Sequence, residues 1–249
     1  MVFFLLALQF LTIIPLKIKG VDDKNIASSM IYFPLVGILL GAVLIALNYF
    51  FSVLRLPLIS ANIILVVSLA ILTGGMHLDG LSDTADAFLS GKSKDEMLVI
   101  MRDPHIGVMG VLSLISAIIL KIALLFSINS PLKFTALILM CVLSRWSVVP
   151  VMFFFPYART DGKAGVFIRG MNLKILVLST IVSAICAFLV WHINGLIVLL
   201  ITAAAAYAFG KFASRKIGGI TGDTLGATIE LTELVILLTI CITGGAFYG

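Results

Sequence analysis

Charged side chains are scarce in this chain. Asp, Glu, Lys and Arg fill 12% of its 249 positions, whereas 61% of the residues are apolar, and the mean hydropathy of +1.21 is far above that of a soluble domain. The sequence therefore predicts an all-α, polytopic integral membrane helical bundle, a single domain over residues 1–249. The net charge of +5 indicates no nucleic-acid partner, because the basic residues lie in short loops between apolar runs.

Cysteine is also rare. Cys141, Cys186 and Cys241 lie singly inside apolar runs without the CxxC spacing of a metal site, so we interpret them as small buried apolar residues. The start of the chain lacks the basic segment and the A-x-A cleavage site of a secretory signal, which predicts that residues 1–16 are retained as a membrane segment. Many secondary transporters contain internal repeats, and this sequence has none.

Apolar runs separated by polar loops predict seven or eight membrane-spanning helices. Residues 1–16 are short for a full span, and whether they cross the bilayer decides between the two counts. A last span ends near the C-terminus, and residues 192–195 form a predicted turn. The other predicted spans cover residues 30–54, 58–73, 106–128, 134–155, 175–192 and 196–210.

The distribution of Lys and Arg predicts which loops face the cytoplasm. If the loops alternate between the two sides of the membrane, thirteen basic residues fall on one side, and Arg55 and Lys133 fall on the other. The side with the excess is expected to be cytoplasmic. The thirteen residues are Lys17, Lys19, Lys24, Lys92, Lys94, Arg102, Arg159, Lys163, Arg169, Lys174, Lys211, Arg215 and Lys216.

An acidic motif at residues 73–86, TGGMHLDGLSDTAD, places three aspartates and His77 within ten residues. In a helix, Asp79, Asp83 and Asp86 lie at i, i+4 and i+7, within about 60° of one another on one face. Adjacent carboxylates repel one another, and oxygen ligands favour a hard cation such as Mg²⁺. Alternatively, Asp79 caps the helix and Asp83 stabilises its first turn, which leaves the third acid without an explanation.

A second motif, RKIGGITGDTLGATIELTE, covers residues 215–233 and is expected on the same side of the membrane. Its glycines, among them Gly219 and Gly222, predict a backbone nest for phosphate, with Arg215 and Lys216 as counter-charges. A flexible inter-span loop that carries ordinary cytoplasmic cations is the alternative interpretation.

Ionisable residues also fall within or beside the predicted spans. Such groups usually face the protein interior, so we expect Lys121 and Arg145 to pair with Glu230, Glu233 or substrate phosphates. Arg145 is suited to bidentate phosphate binding, whereas a Lys121 that reaches along a tilted helix to the interface is the alternative. Together with the acidic motif, these residues favour metal-assisted transfer of a phosphoryl-containing group, in which a carboxylate takes the proton of an attacking hydroxyl.

Several motifs resemble those of the adenosylcobinamide-GDP ribazoletransferase, or cobalamin 5′-phosphate synthase, family. The resemblance runs nearly the whole length of the chain, and its HLDGLxDTAD core is highly specific. The chain departs from the family pattern at Ala87, where the family often has Gly, and at His105, where it often has Arg. The matching segments are ALQFLT at 7–12, YFPLVG at 32–37, GGMHLDGLSDTAD at 74–86, MRDPHIG at 101–107 and GITGD at 219–223.

The resemblance implies a reaction between adenosylcobinamide-GDP and α-ribazole or its 5′-phosphate. GMP leaves, adenosylcobalamin or its 5′-phosphate forms, and Mg²⁺ is required. It also implies a multi-pass protein of the prokaryotic cytoplasmic (inner) membrane with its catalytic loops on the cytoplasmic side. Self-association into a homo-oligomer stays open.

The resemblance and the two motifs together suggest a role for each candidate residue. We expect the metal ligands among Asp79, Asp83, Asp86 and Asp103, and the catalytic groups among Asp86, Asp223 and His77. The candidate phosphate-binding residues are Arg102, Arg145, Arg215, Lys216, Gly219 and Gly222.

Two other functions are compatible with parts of this pattern. CDP-alcohol phosphotransferases of phospholipid synthesis also use an Asp-rich Mg²⁺ site on membrane helices, but their Asp-Gly-x-x-Ala-Arg pattern has Asp83-Thr84 here in place of Ala-Arg. A cation-coupled transporter would use the intramembrane charges to line a path. The concentration of polar groups at one side of the membrane argues against the transporter.

Overall fold

The computed structural model describes residues 2–16 and 23–244. Lys17 and Lys19, which were assigned to the cytoplasmic side, lie outside the described residues, as do the side chains of Lys24 and Lys163. The helices are α1 (Val2–Leu11), α2 (Asp23–Ser28), α3 (Phe33–Val53), α4 (Leu58–Leu72), α5 (Met76–Leu89), α6 (Lys94–Ile100), α7 (Val108–Ser127), α8 (Ser130–Phe154), α9 (Lys163–Arg169), α10 (Leu173–Ile217) and α11 (Gly222–Thr243).

The predicted all-α polytopic membrane fold is confirmed. Within the described residues, five segments are long and apolar enough to cross a membrane: Asn25–Val53, α7, α8, α10 and α11. The pair α4 and α5, bent by 89°, counts as a sixth if it is one span. This number is lower than the seven or eight predicted spans, because α1 has only ten residues and because two predicted spans fall within the 45-residue α10.

Helix α10 is nevertheless a hairpin. Trp191 (φ −146°) and His192 (φ 47°) leave the helical region. In a continuous helix, residues eight positions apart would be separated by about 12 Å. A methyl group on Gly195 would instead lie 2.0 Å from the carbonyl oxygen of Ala187. The chain therefore folds back at the predicted turn, and the two arms run antiparallel.

Helix α8 is the centre of the bundle. Every residue from Thr135 to Val149 is buried, as expected for an apolar helix that is surrounded by others. Gly37 of α3 lies so close to it that a methyl group there would be 2.5 Å from the carbonyl oxygen of Cys141, and small residues permit this approach between membrane helices. Cys141 and Cys241 are buried as predicted, and Cys186 is half-buried.

The residues of the two sequence motifs gather at one end of the bundle, which we call the acidic end. It is formed by α5, which packs against α7 and α11, and by the last turn of α10, where Lys216 donates to Phe88 O of α5. The second motif is mostly helical, because α10 extends beyond the predicted end of its span at residue 210 to Ile217 and α11 begins at Gly222. Gly218, at φ 79°, ends α10 in the left-handed conformation that glycine adopts without strain.

Candidate active site

The acidic motif forms the predicted helix, and it lies across the acidic end. Gly74 and Gly75 have φ values of 63° and 69°, which a residue with a Cβ rarely adopts. This turn produces the 89° bend between α4 and α5. We therefore treat α5 as a helix outside the membrane-spanning segments, with its aspartates at the end of the bundle.

Two glycines bring the two sequence motifs together. A methyl group on Gly80 of α5 would lie 2.6 Å from the carbonyl oxygen of Asp223, and one on Gly226 of α11 would lie 3.2 Å from the Cα of His77. Larger residues would separate the helices. The close crossing places Asp223 beside the acidic face of α5, and the field of Asp223 acts on Asp83.

Asp83 is half-buried and lies close to other carboxylates. Burial raises the pKa of this carboxyl group to about 7, and the neighbouring charges of Asp79, Asp223 and Asp86 act in the same direction. On the same helix, burial lowers the pKa of His77 to about 3, and Arg145 adds to this effect. His77 is therefore a neutral imidazole, and its Nδ1 has no partner among the described residues.

Two cavities meet at Asp79. The larger, about 750 Å³, is lined on one side by Asp79 and Asp83 and on the other by Arg102 and Asp103. The smaller, about 300 Å³, is lined by Asp79, Asp223 and Arg159 and also by His77 and Gly222. Because Asp79 lines both cavities, ligands bound in the two cavities would be adjacent at this aspartate.

Arg159 was identified in the sequence only as a loop cation, and the structure places it in the site. Its Nη2 donates a hydrogen bond of 2.9 Å to Oδ2 of Asp223. The loop is held there by two backbone bonds, from Ala158 N to Ile220 O (2.9 Å) and from Ile220 N to Pro156 O (2.8 Å). The pairing of two segments 64 residues apart has no local sequence signal.

Gly219 permits this pairing. A methyl group on Gly219 would lie 2.4 Å from the carbonyl oxygen of Pro156, so the glycine allows this close backbone contact. Gly222 differs, since the nearest atom to a methyl group there is Ala164 Cβ at 3.9 Å. It leaves room at the smaller cavity.

Asp86, which the sequence predicts as a metal ligand and general base, caps a helix in this structure. Its two carboxylate oxygens accept hydrogen bonds from Gly107 N (2.7 Å) and Gly110 N (2.8 Å) at the start of α7. A methyl group on Gly110 would lie 2.3 Å from this carboxylate. The carboxylate can therefore approach both amides only because residues 107 and 110 are glycines. The acid stabilises the positive end of α7.

Arg145 is not at either cavity, which corrects its assignment to phosphate binding. It is fully buried, and its Nη1 donates to Oε1 of Glu233 (2.5 Å). Lys121 donates to Glu230 (2.6 Å) and also forms an ion pair with Glu233. The four charges thus pair with one another inside the bundle, as ionisable groups within membrane spans usually do.

The remaining candidates lie at the edge of the site. Asp103, on the wall of the larger cavity, accepts hydrogen bonds from the backbone and the ring of His105, at 2.9 and 2.6 Å. These bonds lower the pKa of the Asp103 carboxyl group. Arg215 is exposed, and Lys216 donates to Phe88 O at 3.4 Å. Neither of these two basic residues lines the two cavities.

The donors fit Mg²⁺ only as an incomplete set. Among the described residues, no three His, Cys, Asp or Glu side chains form a group that could enclose a metal ion. Mg²⁺ is usually held by one or two carboxylates together with waters and substrate phosphates. Asp79 and Asp83 match that pattern, since they share a cavity wall and their repulsion is one that a cation relieves.

Comparison with known proteins points in one direction. The family model described as cobalamin-5-phosphate synthase matches residues 3–241. A protein of Desulforamulus reducens named adenosylcobinamide-GDP ribazoletransferase is 37% identical over 235 residues, which is 94% of each chain. Proteins of the same name from Roseiflexus sp. (37%; 95% of this chain and 88% of the relative) and Escherichia coli O17:K52:H18 (38%; 94% and 96%) are also similar. No solved structure matches.

Proposed function

The chain belongs to the cobalamin-5-phosphate synthase family, and on that premise we propose its reaction. The adenosylcobinamide phosphoryl group of adenosylcobinamide-GDP is transferred to a ribose hydroxyl of α-ribazole or α-ribazole 5′-phosphate. The hydroxyl oxygen forms a bond to the phosphorus on the corrinoid side, and the bond from that phosphorus to GMP breaks. The products are GMP and adenosylcobalamin or its 5′-phosphate.

The proposal depends most on one observation. Asp79, Asp83 and Asp223 come together where two cavities meet, with Arg102 on the wall of one and Arg159 on the wall of the other. A transfer between two phosphorylated substrates needs two adjoining binding places, cations for the phosphates and anions for a metal ion. The site contains each of these elements.

We assign the pyrophosphate of adenosylcobinamide-GDP to the larger cavity and α-ribazole to the smaller. Asp79 and Asp83 would hold Mg²⁺, which when bound neutralises the charge that develops on the departing phosphate. Arg102 reaches the same cavity from the opposite wall and binds a phosphate oxygen. Asp103 lies beside Arg102 on that wall and is a further candidate ligand for Mg²⁺.

We assign Asp223 as the group that accepts the hydroxyl proton. The two hydrogen bonds that it accepts from described residues, from Arg159 and Thr221, both end at Oδ2, so Oδ1 is the oxygen for this step. Arg159 orients the carboxylate. His77 lines the same cavity with an unpartnered Nδ1, and we assign it a hydrogen bond to α-ribazole.

The proposal extends to location. The described cations Arg102, Arg159, Lys211, Arg215 and Lys216 all belong to the predicted cytoplasmic group, and several lie at the acidic end. Because an excess of basic residues marks the cytoplasmic side, we assign the acidic end to the cytoplasmic face of the inner membrane, where the nucleotide substrate would be available.

One assay tests the reaction. Purified protein in detergent or vesicles is mixed with adenosylcobinamide-GDP, α-ribazole 5′-phosphate and Mg²⁺, and GMP and the corrinoid product are measured together. We expect equal amounts of both, and none after a chelator is added. Well-folded protein that releases no GMP would contradict the proposal. Parallel incubations with CDP-diacylglycerol and with vesicles for uptake test the phosphotransferase and transporter alternatives.

A further inference from the structure

A second polar cavity lies at the end of the bundle opposite the acidic end. It measures about 430 Å³ and is lined by the end of α3, the loop to α4, and the starts of α4 and α8. Its polar lining side chains are Asn48, Tyr49, Ser52, Arg55, Ser130 and Lys133, and the lining includes no Asp or Glu. The proposed reaction gives this cavity no role.

Lys133 is a buried cation without an anionic partner among the described residues. It is 5% exposed, and its ammonium group donates to two neutral acceptors, Oδ1 of Asn62 (3.1 Å) and the carbonyl oxygen of Leu125. A buried charge in a membrane protein is usually paired with an opposite charge. Lys121 follows that rule by pairing with Glu230 and Glu233, whereas Lys133 does not.

The neighbouring amide also lacks an acceptor. Asn62 is fully buried, and within the described part of the chain its Nδ2 has no hydrogen-bond partner. Its Oδ1 is already used by Lys133, so reversing the amide would only turn the donors toward another donor. Lys133 and Asn62 together present more donors than the surrounding protein can satisfy, which indicates a missing acceptor.

Further positive charge converges on the cavity. Helices α4 and α8 both begin there, at Leu58 and Ser130, and the N-terminus of a helix carries partial positive charge. Arg55 adds a full charge. It holds a backbone φ of 55°, which costs free energy for a residue other than glycine and is often found at binding sites.

Apolar side chains surround this polar group. Phe50, Val53 and Leu54 are 54%, 62% and 60% exposed on the adjoining surface, and Tyr49 is 72% exposed. Tyrosine is enriched where lipid headgroups begin. A ligand here would have an anionic group in the cavity and hydrocarbon beside it.

We propose that this cavity binds the phosphate group of an anionic phospholipid in the membrane leaflet opposite the acidic end. Arg55 and Lys133 contact the phosphate, and the acyl chains lie on the exposed apolar residues beside it. The same chemistry would accept inorganic phosphate, so the experiment has to separate the two sources.

Binding of dioleoylphosphatidylglycerol to the purified protein in detergent, measured by native mass spectrometry, tests the proposal. We expect Arg55→Gln and Lys133→Met to bind the lipid about tenfold more weakly than the wild type. Lys174→Gln removes an exposed cation at the start of α10, away from this cavity. This variant should bind the lipid like the wild type. Arg55 is exposed, so its variant should fold and decides the outcome even if Lys133→Met does not fold.

Titration of the lipid-free protein with inorganic phosphate identifies the source. Weak binding of phosphate and tight binding of the lipid support a phospholipid. Phosphate binding that matches the lipid in strength and needs Arg55 supports the phosphate site with a free anion as its ligand. Lipid binding by Arg55→Gln at wild-type strength would overturn the proposal. None of these outcomes depends on GMP release at the acidic end.

Discussion

Arg159 donates a hydrogen bond of 2.9 Å to Asp223, although the two residues are 64 positions apart. The bond joins the loop after α8 to the first turn of α11 at the wall of the smaller cavity. Both side chains are largely enclosed, at 13% and 23% exposure, so the pair is less weakened by solvent than a surface ion pair. Arg159 and Thr221 both donate to Oδ2 of Asp223, and in the proposed reaction the arginine thereby orients the carboxylate.

Replacement of Arg159 tests this role. We expect Arg159→Gln to lower kcat for GMP release by about 100-fold, because Asp223 loses its orientation and a nearby positive charge. Arg169→Gln, which removes an exposed cation from the neighbouring helix α9, is the control and should keep wild-type rates. Equal rates for Arg159→Gln and the wild type would remove Arg159 from the proposed site.

Replacement of Asp83 tests the proposed Mg²⁺ site. Asp83→Asn removes a carboxyl group whose pKa is raised by burial and, in addition, by the neighbouring carboxylates, so the fold should be retained or slightly stabilised. Turnover should fall by about 100-fold or more, with a higher Mg²⁺ concentration needed for half-maximal rate, because a metal ligand is weakened. Asp95→Asn, an exposed acid in α6, is the matched control. A variant with an unchanged Mg²⁺ requirement would contradict the metal assignment.

Asp86 should behave as a structural residue. Asp86→Asn keeps one acceptor oxygen and loses the other, so one of the two amides at the start of α7 loses its partner. We expect the free energy of unfolding to fall by about 1–2 kcal/mol, measured by thermal unfolding in detergent. The kcat of the folded fraction should stay within about threefold of the wild type. A large loss of kcat at unchanged stability would restore Asp86 to the catalytic set.

The buried charges give a prediction that concerns stability alone. Arg145→Leu leaves Glu233 with fewer positive partners, and loss of one member of a buried pair costs about 3–5 kcal/mol. The double variant Arg145→Leu/Glu233→Leu keeps the Lys121–Glu230 pair and should recover much of that loss. Thermal unfolding of the single and double variants measures the difference. Lower stability of the double than of the single variant would argue against a structural ion pair.

Much of the fold follows from local features of the chain. The apolar runs identified α3, α7, α8 and the two arms of α10, because a bilayer requires each crossing segment to satisfy its own backbone hydrogen bonds. The chain reverses at Trp191–His192, at the start of the turn predicted for residues 192–195. The acidic helix was also predictable, since the spacing of Asp79 and Asp83 is a property of one helix.

What only the tertiary structure decided was the partner of each polar side chain. The sequence could not show that Asp86 faces two amides of α7, that Arg145 is enclosed with Glu233, or that Arg159 reaches Asp223. Helical periodicity determines the face on which a residue lies, but not the element that packs against that face. In this chain, that choice depends on close approach at glycines such as Gly80, Gly110 and Gly219, where the absence of a Cβ lets distant segments meet.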